Sequence, residues 1–386
     1  MAPSVIEAIS ETTHDIREKI APQLSDKTDS DAAKSQRTSS IEKLAPSVVI
    51  PTVATQEPHR EPLNLSGVLD QFESFDVTPI IGREYVGVNL AEWIHAPNSD
   101  DLLRDLAITI SQRGVLFFRK QDDITNDLQK ELHIHPVSNS GREHGGKDDE
   151  ISVISSAQAK KIYDRNFEAK NRQSAKEGWH SDITFEPIPS DYALLRLTEL
   201  PKTGGDTLWA SGYEVYDRIS KPVQKFLETL TATYAQPEFN KAADKNGFKI
   251  YSEERGAPEN VGEKLEAVHP VVRTNPVTGW KSIFALGHHV SHINDLTTIE
   301  SDALLAWFLR LVVDNHDLQV RHRWENVNDL AIWDNRSNYH VATSDYINLG
   351  LGERAGQRAV SLGERPYLDP ESTGRREGLE KLQKPE

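Results

Sequence analysis

The sequence predicts a mostly β fold, an antiparallel double-sheet barrel with helices at its flanks. Short segments rich in β-branched and aromatic residues, bounded by glycine, proline, asparagine or serine, recur along the chain after residue 76, as expected for strands. Apolar residues at helical spacing occur in only a few segments. Strands and helices do not alternate along the chain, so a parallel α/β sheet is not expected.

The predicted strands share a run of apolar residues between turn signals. In chain order they are 77–82, 85–90, 114–119, 133–137, 151–154, 179–185, 192–197, 203–209, 268–272, 281–286, 319–324, 330–334 and 357–362. The predicted helices, which carry apolar residues at every third or fourth position, are 100–110, 122–132, 213–234 and 298–315. Two polar segments are interpreted as a surface loop or lid and as an insertion, 157–178 and 236–265 respectively.

The first 62 residues differ in composition from the rest of the chain. Residues 25–62 are rich in serine, threonine, aspartate, proline and lysine and contain few large apolar side chains. Such a segment cannot bury enough surface to offset the entropy lost on ordering. We therefore predict that residues 1–62 form a disordered tail and that residues 63–386 form one domain.

Composition restricts the classes of function. Acidic residues outnumber basic ones, 60 to 44, and no basic cluster with interleaved aromatic residues is found, so nucleic acid is not an expected partner. Cysteine is absent, which excludes disulfides, thiolate catalysis and iron–sulfur clusters and leaves His, Asp and Glu as metal ligands. No apolar run approaches the roughly 20 residues that a membrane helix needs, and no hydrophobic signal segment is found. A cytoplasmic protein without a membrane partner is expected.

The segment Trp179–Phe185 contains a candidate for part of a metal site. On a predicted strand, His180 and Asp182 project to the same face because strand side chains alternate with a period of two. One imidazole and one carboxylate are two thirds of a 2-His-1-carboxylate site, which suits non-haem Fe(II) and leaves positions open for substrate and dioxygen. The alternative is a surface strand with an ordinary Asp–His hydrogen bond.

The third ligand must come from the other histidines of the chain, which contains 14 in all. His340 is the best candidate, because it follows the apolar strand 330–334 and the turn signal Asp334-Asn335. The alternative for His340 is a capping or core histidine. Three histidines, His288, His289 and His292, cluster in an apolar loop and could line a pocket. Solvated side chains are expected for His14, His59 and His144.

Two arginines follow on the last predicted strand. Arg354 and Arg358 face the same way, with Gly356 between them. Two guanidinium groups directed into a barrel are costly unless anions meet them, and each suits a carboxylate or sulfonate through bidentate bonds. A metal site with two anion receptors indicates an acidic cosubstrate and an acidic substrate. The alternative is a pair of surface arginines.

Residues 76–368 resemble the taurine/2,4-D dioxygenase family of Fe(II)- and 2-oxoglutarate-dependent oxygenases, and are most similar to its taurine or sulfonate dioxygenases. The matching segments occur in the family's order: Phe118–Gln121, His133–Val137, Trp179–Asp182, Gly204–Trp209, Ile332–Arg336 and Arg354–Pro366. The resemblance implies a double-stranded β-helix, the jelly-roll or cupin-like barrel. It also implies Fe(II), 2-oxoglutarate and O2 as cofactor and cosubstrates, and a homo-oligomer, dimer or tetramer.

The resemblance also implies roles for seven residues. The iron ligands fall on His180, Asp182 and His340. Arg354 and Thr207 would bind the distal carboxylate of 2-oxoglutarate, and Arg358 and His135 would bind the substrate anion. The expected reaction hydroxylates the carbon next to the acidic group of a small anionic substrate, and it yields succinate and CO2. With a sulfonate it also yields sulfite and an aldehyde.

Two departures from the taurine enzymes affect this prediction. The segment between Gln121 and His133 is shorter than the family's, beside the strand that carries His135. Ser138 stands where a tyrosine is expected and Lys176 near an asparagine position, so the contacts to an amine are not kept. A sulfonate other than taurine is therefore favoured. The alternatives are a carboxylate or heteroaromatic substrate, of phenoxyacetate or purine type, and an anion-binding barrel without catalysis.

Overall fold

The computed structural model describes residues 59–132, 151–157, 176–247 and 249–383. These residues fall within one of two structural units of the chain, Thr52–Glu386. Residues 1–58 of the predicted tail, the predicted strand 133–137 and most of the predicted lid lie outside the described residues. The division of the chain at residue 62 stays a prediction.

The strands of the described residues are numbered in chain order. They are β1 (Ser74–Asp76), β2 (Arg83–Tyr85), β3 (Val115–Phe118), β4 (Ser152–Ser155), β5 (Ser190–Glu199), β6 (Thr207–Ser211), β7 (Thr231–Ala235), β8 (Glu266–Pro270), β9 (Val272–Thr274), β10 (Lys281–Ile283), β11 (Val290–Ile293), β12 (Gln319–His322), β13 (Leu330–Asp334), β14 (Asn338–Ala342) and β15 (Ala355–Leu362).

The α-helices in the same part of the chain are also numbered in chain order. They are α1 (Leu90–His95), α2 (Ser99–Arg113), α3 (Asn126–Leu132), α4 (Gly212–Asp217), α5 (Lys221–Leu227), α6 (Pro237–Asn246), α7 (Thr298–Val313) and α8 (Arg375–Gln383). Within the described ranges, none of them has the length and apolar character that a membrane crossing requires.

The largest sheet has seven strands in the order β1-β2-β3-β13-β5-β15-β4. Its pairs are antiparallel except for β2 and β3. A three-stranded antiparallel sheet, β12-β6-β14, supplies the second set of strands around the candidate site. Two further small sheets pair β11-β7-β8 and β10-β9. The prediction of a mostly β, antiparallel fold with flanking helices is confirmed.

Several predicted elements are wrong in detail. The predicted strand 77–82 is a bend between β1 and β2, because Pro79 lacks an N–H for a ladder and Gly82 has φ +88°. The segment predicted as strand 85–90 ends after Tyr85 and leads into α1. The predicted helix 213–234 is instead α4, α5 and β7, since Pro222 starts a second helix and an alternating segment follows it. The polar insertion contains α6.

Apolar side chains fill the space between the seven-stranded and three-stranded sheets. This core includes Phe117, Leu195, Trp209, Trp333 and Val360, all with 6% exposure or less. The opposite face of the large sheet is covered by α1 and α2. The two sheets thus hold the strands that carry the candidate site residues in fixed register.

His322 on β12 provides a pH test of this core. Its ring stacks on Phe117 with centroids 4.0 Å apart. Burial, helped by the nearby Arg119 cation and opposed by Asp329, lowers the pKa of His322 to about 3. The unfolded chain takes up a proton below about pH 6.5 whereas the native state does so only near pH 3, so stability falls as the pH drops through this window.

At pH 5 this one group is expected to cost about 2 kcal/mol of unfolding free energy relative to neutral pH. The variant His322→Phe keeps a ring on Phe117 and should lose that part of the pH dependence. Urea unfolding at neutral pH and at pH 5 gives the change in unfolding free energy between the two pH values for each protein. The same change in the variant as in the parent would show that another group causes the acid sensitivity. His269 is one such group, because burial also lowers its pKa to about 3 and it is present in both proteins.

Candidate functional site

His180 and His340 lie directly opposite each other in an isolated antiparallel bridge next to β14. The amide of His180 donates to the carbonyl of His340 at 3.1 Å, and the amide of His340 donates to the carbonyl of His180 at 2.8 Å. Directly opposed residues present their side chains on the same face, and the ring centroids are 4.3 Å apart. Backbone pairing thus joins two histidines that are remote in sequence.

Asp182 completes a cluster with these histidines. His180 Nε2 lies 3.7 Å from Asp182 Oδ1, and His340 Nε2 lies 3.7 Å from Asp182 Oδ2. One ligand atom from each of the three residues lies within 4.8 Å of the others. His180 Nδ1 lies 2.9 Å from the Gly178 carbonyl; donation to that oxygen leaves Nε2 with a free lone pair.

The side-chain chemistry of this cluster fits a divalent metal ion. Asp182 Oδ2 is buried and has no hydrogen-bond partner among the described residues, and such an atom is costly unless it is satisfied. Burial opposes ionisation of Asp182, but the Arg358 cation and the neighbouring His340 and His180 outweigh it and hold the pKa of Asp182 well below its ordinary value. Two imidazoles and one ionised carboxylate are the donor set of non-haem Fe(II) sites.

The backbone around Asp182 is not the predicted strand. His180 belongs to the bridge, but residues 182–185 form a turn, and Ile183 has φ 58°, which is unusual for a β-branched residue. The Asn335 side chain accepts from the Asp182 amide at 2.7 Å and donates to the Asp182 carbonyl at 2.8 Å. This clamp, rather than strand alternation, directs the carboxylate toward the histidines.

Asn335 follows β13 at a buried charged turn. Asp334 is fully buried and accepts hydrogen bonds from Ser111 at 2.7 Å, from Asn275 at 2.8 Å and from the Arg336 guanidinium at 2.7 and 2.9 Å. Because these bonds fix the turn between β13 and β14, they fix both Asn335 and the strand that carries His340. The sequence indicated only that Asp334-Asn335 is a turn.

Arg354 lies beside β6, at the beginning of β15. It is 5% exposed, and it donates to the Gly205 carbonyl at 2.9 Å and to Thr207 Oγ1 at 3.1 Å. No carboxylate among the described residues forms an ion pair with it, and burial lowers its pKa although Tyr346 and Asp206 oppose this. A buried guanidinium without an anion is costly, so Arg354 is suited to bind an anionic ligand.

A glycine makes room for this arginine. Gly205 has φ +74°, and a Cβ there would lie 3.0 Å from Arg354 Cδ. The Gly204-Gly205 turn that precedes β6 therefore has two functions: it supplies a carbonyl that binds Arg354, and it leaves space for the side chain to reach Thr207.

Arg358, four residues along β15, reaches the metal cluster instead. Its Nη1 lies 2.6 Å from Asp182 Oδ1. Its Nε is buried and has no hydrogen-bond partner among the described residues. The two arginines therefore differ. One lacks a carboxylate partner, and the other pairs with the candidate metal ligand while keeping donors available.

The other candidate histidines lie in different surroundings. The rings of His288 and His289 lie beside His180, with centroids 4.6 and 5.7 Å away. His289 Nδ1 lies 3.1 Å from the Ser181 carbonyl, and burial lowers the pKa of His289 to about 3. His292 is exposed. The predicted substrate residue His135 lies outside the described residues, as do His14 and His144.

Comparison with known proteins identifies the family. The model of the taurine catabolism dioxygenase TauD, TfdA family matches residues 73–360. The alpha-ketoglutarate-dependent dioxygenase btcD of Neocamarosporium betae is 52% identical over 341 residues, which is 82% of this chain and 98% of the relative. The alpha-ketoglutarate-dependent sulfonate dioxygenase of Saccharomyces cerevisiae is 31% identical over 302 residues, which is 76% of this chain and 67% of the relative.

The fold has solved counterparts. A taurine dioxygenase from Burkholderia xenovorans superposes with a TM-score of 0.60 at 22% identity, covering 78% of this chain and 92% of that chain. The predicted family, the donor set of the cluster and the relatives thus agree. The chain belongs to the taurine catabolism dioxygenase TauD, TfdA family, and it is a 2-oxoglutarate-dependent dioxygenase that uses Fe(II) and O2.

Proposed function

We propose that this chain hydroxylates a small anionic substrate at the carbon next to its acidic group, and that the substrate is a sulfonate. One oxygen atom of O2 ends in succinate and the other in the new hydroxyl group, and 2-oxoglutarate loses CO2. The hydroxylated carbon then breaks its C–S bond and releases sulfite, which leaves an aldehyde. We also infer that the seven-stranded sheet and β12-β6-β14 are the two halves of a double-stranded β-helix.

His180, Asp182 and His340 would hold the metal. Bound Fe(II) supplies the activation of O2 that couples oxidation of 2-oxoglutarate to hydroxylation of the substrate. The unpartnered Asp182 Oδ2 and the two Nε2 atoms beside this carboxylate support this assignment. The backbone bridge and the Asn335 clamp would keep the three ligands in place during turnover.

Arg354 and Thr207 would bind the distal carboxylate of 2-oxoglutarate. Two of the five N–H donors of Arg354 are used on Gly205 and Thr207, and the others remain for a carboxylate. The ligand would supply the anion that this buried cation lacks. Anchoring the far end of the ketoacid would orient its other end toward the candidate metal ligands, of which His340 lies on the neighbouring strand β14.

The observation that carries the substrate assignment is the position of Arg358. Its guanidinium adjoins the metal ligands, and its buried Nε has no partner among the described residues. A substrate anion held there would place its neighbouring carbon close to the metal site. A sulfonate offers three acceptor oxygens to such a donor, and the sulfonate dioxygenase of yeast among the relatives supports this class. We also propose that His135 contacts the substrate anion.

Product analysis tests the proposal. The protein is supplied with Fe(II) and 2-oxoglutarate, and with an alkyl sulfonate, taurine or phenoxyacetate. We expect substrate-dependent succinate and an equal amount of sulfite with the alkyl sulfonate, and less of both with taurine. Succinate stimulated by phenoxyacetate but not by sulfonates would overturn the sulfonate assignment. Succinate stimulated by none of these anions would contradict the anionic substrate itself.

A further inference from the structure

The Thr207 hydroxyl receives two hydrogen bonds from buried donors. The indole Nε1 of Trp324 donates to Thr207 Oγ1 at 3.1 Å, and Arg354 Nη2 donates to the same atom at 3.1 Å. Thr207 is 2% exposed, Arg354 5% and Trp324 7%. Trp324 lies two residues after β12, whose His322 pairs with Thr207 on β6. Neither the indole nor the guanidinium can accept a bond in return.

A threonine hydroxyl has two acceptor lone pairs and one proton. Here both lone pairs are occupied, so the proton must point away from Trp324 and Arg354. Among the described residues, no acceptor for this proton is found. The hydroxyl is therefore fixed as a hydrogen-bond donor toward the space beside Arg354, where an anion is needed.

From this geometry we infer that Trp324 is a positioning residue for 2-oxoglutarate. Its indole N–H sets the direction of the Thr207 hydroxyl so that the proton is donated to the distal carboxylate. This inference rests on the proposed roles of Arg354 and Thr207. An O–H donor to a carboxylate makes a charge-assisted bond, whereas a freely rotating hydroxyl also presents lone pairs, which repel the carboxylate.

The other contacts of Trp324 suggest how to separate the effect of its N–H donor from the effect of ring packing. The indole ring packs 4.8 Å from His322 and 6.5 Å from Trp209, and the Arg354 guanidinium carbon lies 6.0 Å from its centroid. Phenylalanine retains one aromatic ring for these contacts and removes the donor together with part of the ring volume, a packing loss that the double-mutant cycle cancels. Valine at position 207 removes the hydroxyl but keeps the branched shape of threonine.

The experiment is a double-mutant cycle with Trp324→Phe and Thr207→Val. Equilibrium binding of 2-oxoglutarate to the metal-loaded full chain is measured without O2, with the KM for the primary substrate as a second readout. We expect Trp324→Phe to weaken 2-oxoglutarate binding about fivefold and to leave the KM for the primary substrate unchanged. In the Thr207→Val background the same change should have no further effect, whereas in the Thr207→Ser background the loss should return.

The outcomes are distinct. An equal loss from Trp324→Phe with and without the Thr207 hydroxyl would mean that the indole acts by packing, which overturns the inference. No loss from Trp324→Phe, with a clear loss from Arg354→Ala, would overturn it while the proposed function stands. No loss from either Arg354→Ala or Thr207→Val would instead contradict the proposed cosubstrate site. If Trp324→Phe does not fold, benzothienylalanine at position 324, which replaces the indole N–H by sulfur, serves in the same cycle.

Discussion

Replacing Asp182 with alanine is expected to abolish turnover and to remove metal binding. Asp182 is the carboxylate of the cluster, and both histidine Nε2 atoms lie 3.7 Å from its oxygens. Loss of an outer partner of a metal ligand already costs about 10- to 100-fold in affinity, so loss of the ligand itself should cost more. Titration of the protein with Fe(II) or Mn(II), together with succinate formation, measures both effects.

A loss of folding must be separated from a loss of metal. Asp182→Ala leaves the largely buried Arg358 cation without its partner, and loss of one partner of a buried ion pair is strongly destabilising. The double variant Asp182→Ala, Arg358→Ala removes both charges and should fold better while still failing to bind metal. Asp302→Ala, at an exposed position on α7, is the matched control. Metal affinity that stays normal in Asp182→Ala would exclude this carboxylate as a ligand.

The cluster of His180, Asp182 and His340 could be predicted because its signals are local. His180 and Asp182 are two residues apart, and His340 follows an apolar strand and a turn, so short segments indicate each one. What could not be predicted is how Asp182 is held. A strand would have given the same alternation, but the chain turns at Ile183 because Asn335, more than 150 residues away, binds the Asp182 backbone at both ends. Long-range contacts of this kind override local periodicity.

Long-range contacts also limit what the sequence predicts about helices and about side-chain hydrogen bonds. The segment 213–234 has apolar residues at helical spacing, yet it divides into two helices and β7, because strand pairing with β8 and β11 decides its last part. The bond from Trp324 to Thr207 joins β6 to the segment that directly follows its neighbour β12. Its existence depends on the register between β12 and β6, which the sequence does not reveal.

Arg354 and Arg358, at the start of β15 and within it, show how equal residues acquire different surroundings. Their spacing in the sequence predicts only that they face the same way. In the fold, Arg354 lies next to Thr207, and Arg358 lies next to Asp182. The Coulomb field at the metal site therefore includes a fixed cation that offsets the carboxylate charge. Only Nη1 of that cation is bonded to Asp182, and the buried Nε, which has no partner among the described residues, would be available to a substrate anion.

Alanine at position 354 should therefore weaken the binding of 2-oxoglutarate, and alanine at position 358 should weaken the binding of the primary substrate. Hydrogen bonds to charged groups contribute about 1.5–3 kcal/mol, so each KM should rise about 10- to 100-fold. Arg354→Lys keeps the charge but loses the planar fork, and an intermediate effect is expected. Steady-state kinetics with each substrate varied in turn measures the two KM values, with the exposed Arg310→Ala on α7 as the control.

The separation of the two effects is the informative result, because a general loss of packing would raise both KM values together. The positive charge of Arg358 also stabilises the ionised form of Asp182. Arg358→Ala should therefore raise the pKa of that carboxyl, and it should weaken metal binding at mildly acidic pH more than at neutral pH. Its KM effect must therefore be measured with saturating Fe(II). If Arg358→Ala then weakened the binding of 2-oxoglutarate more than that of the primary substrate, the roles of the two arginines would be reversed. The primary substrate would then have to be bound by Arg354.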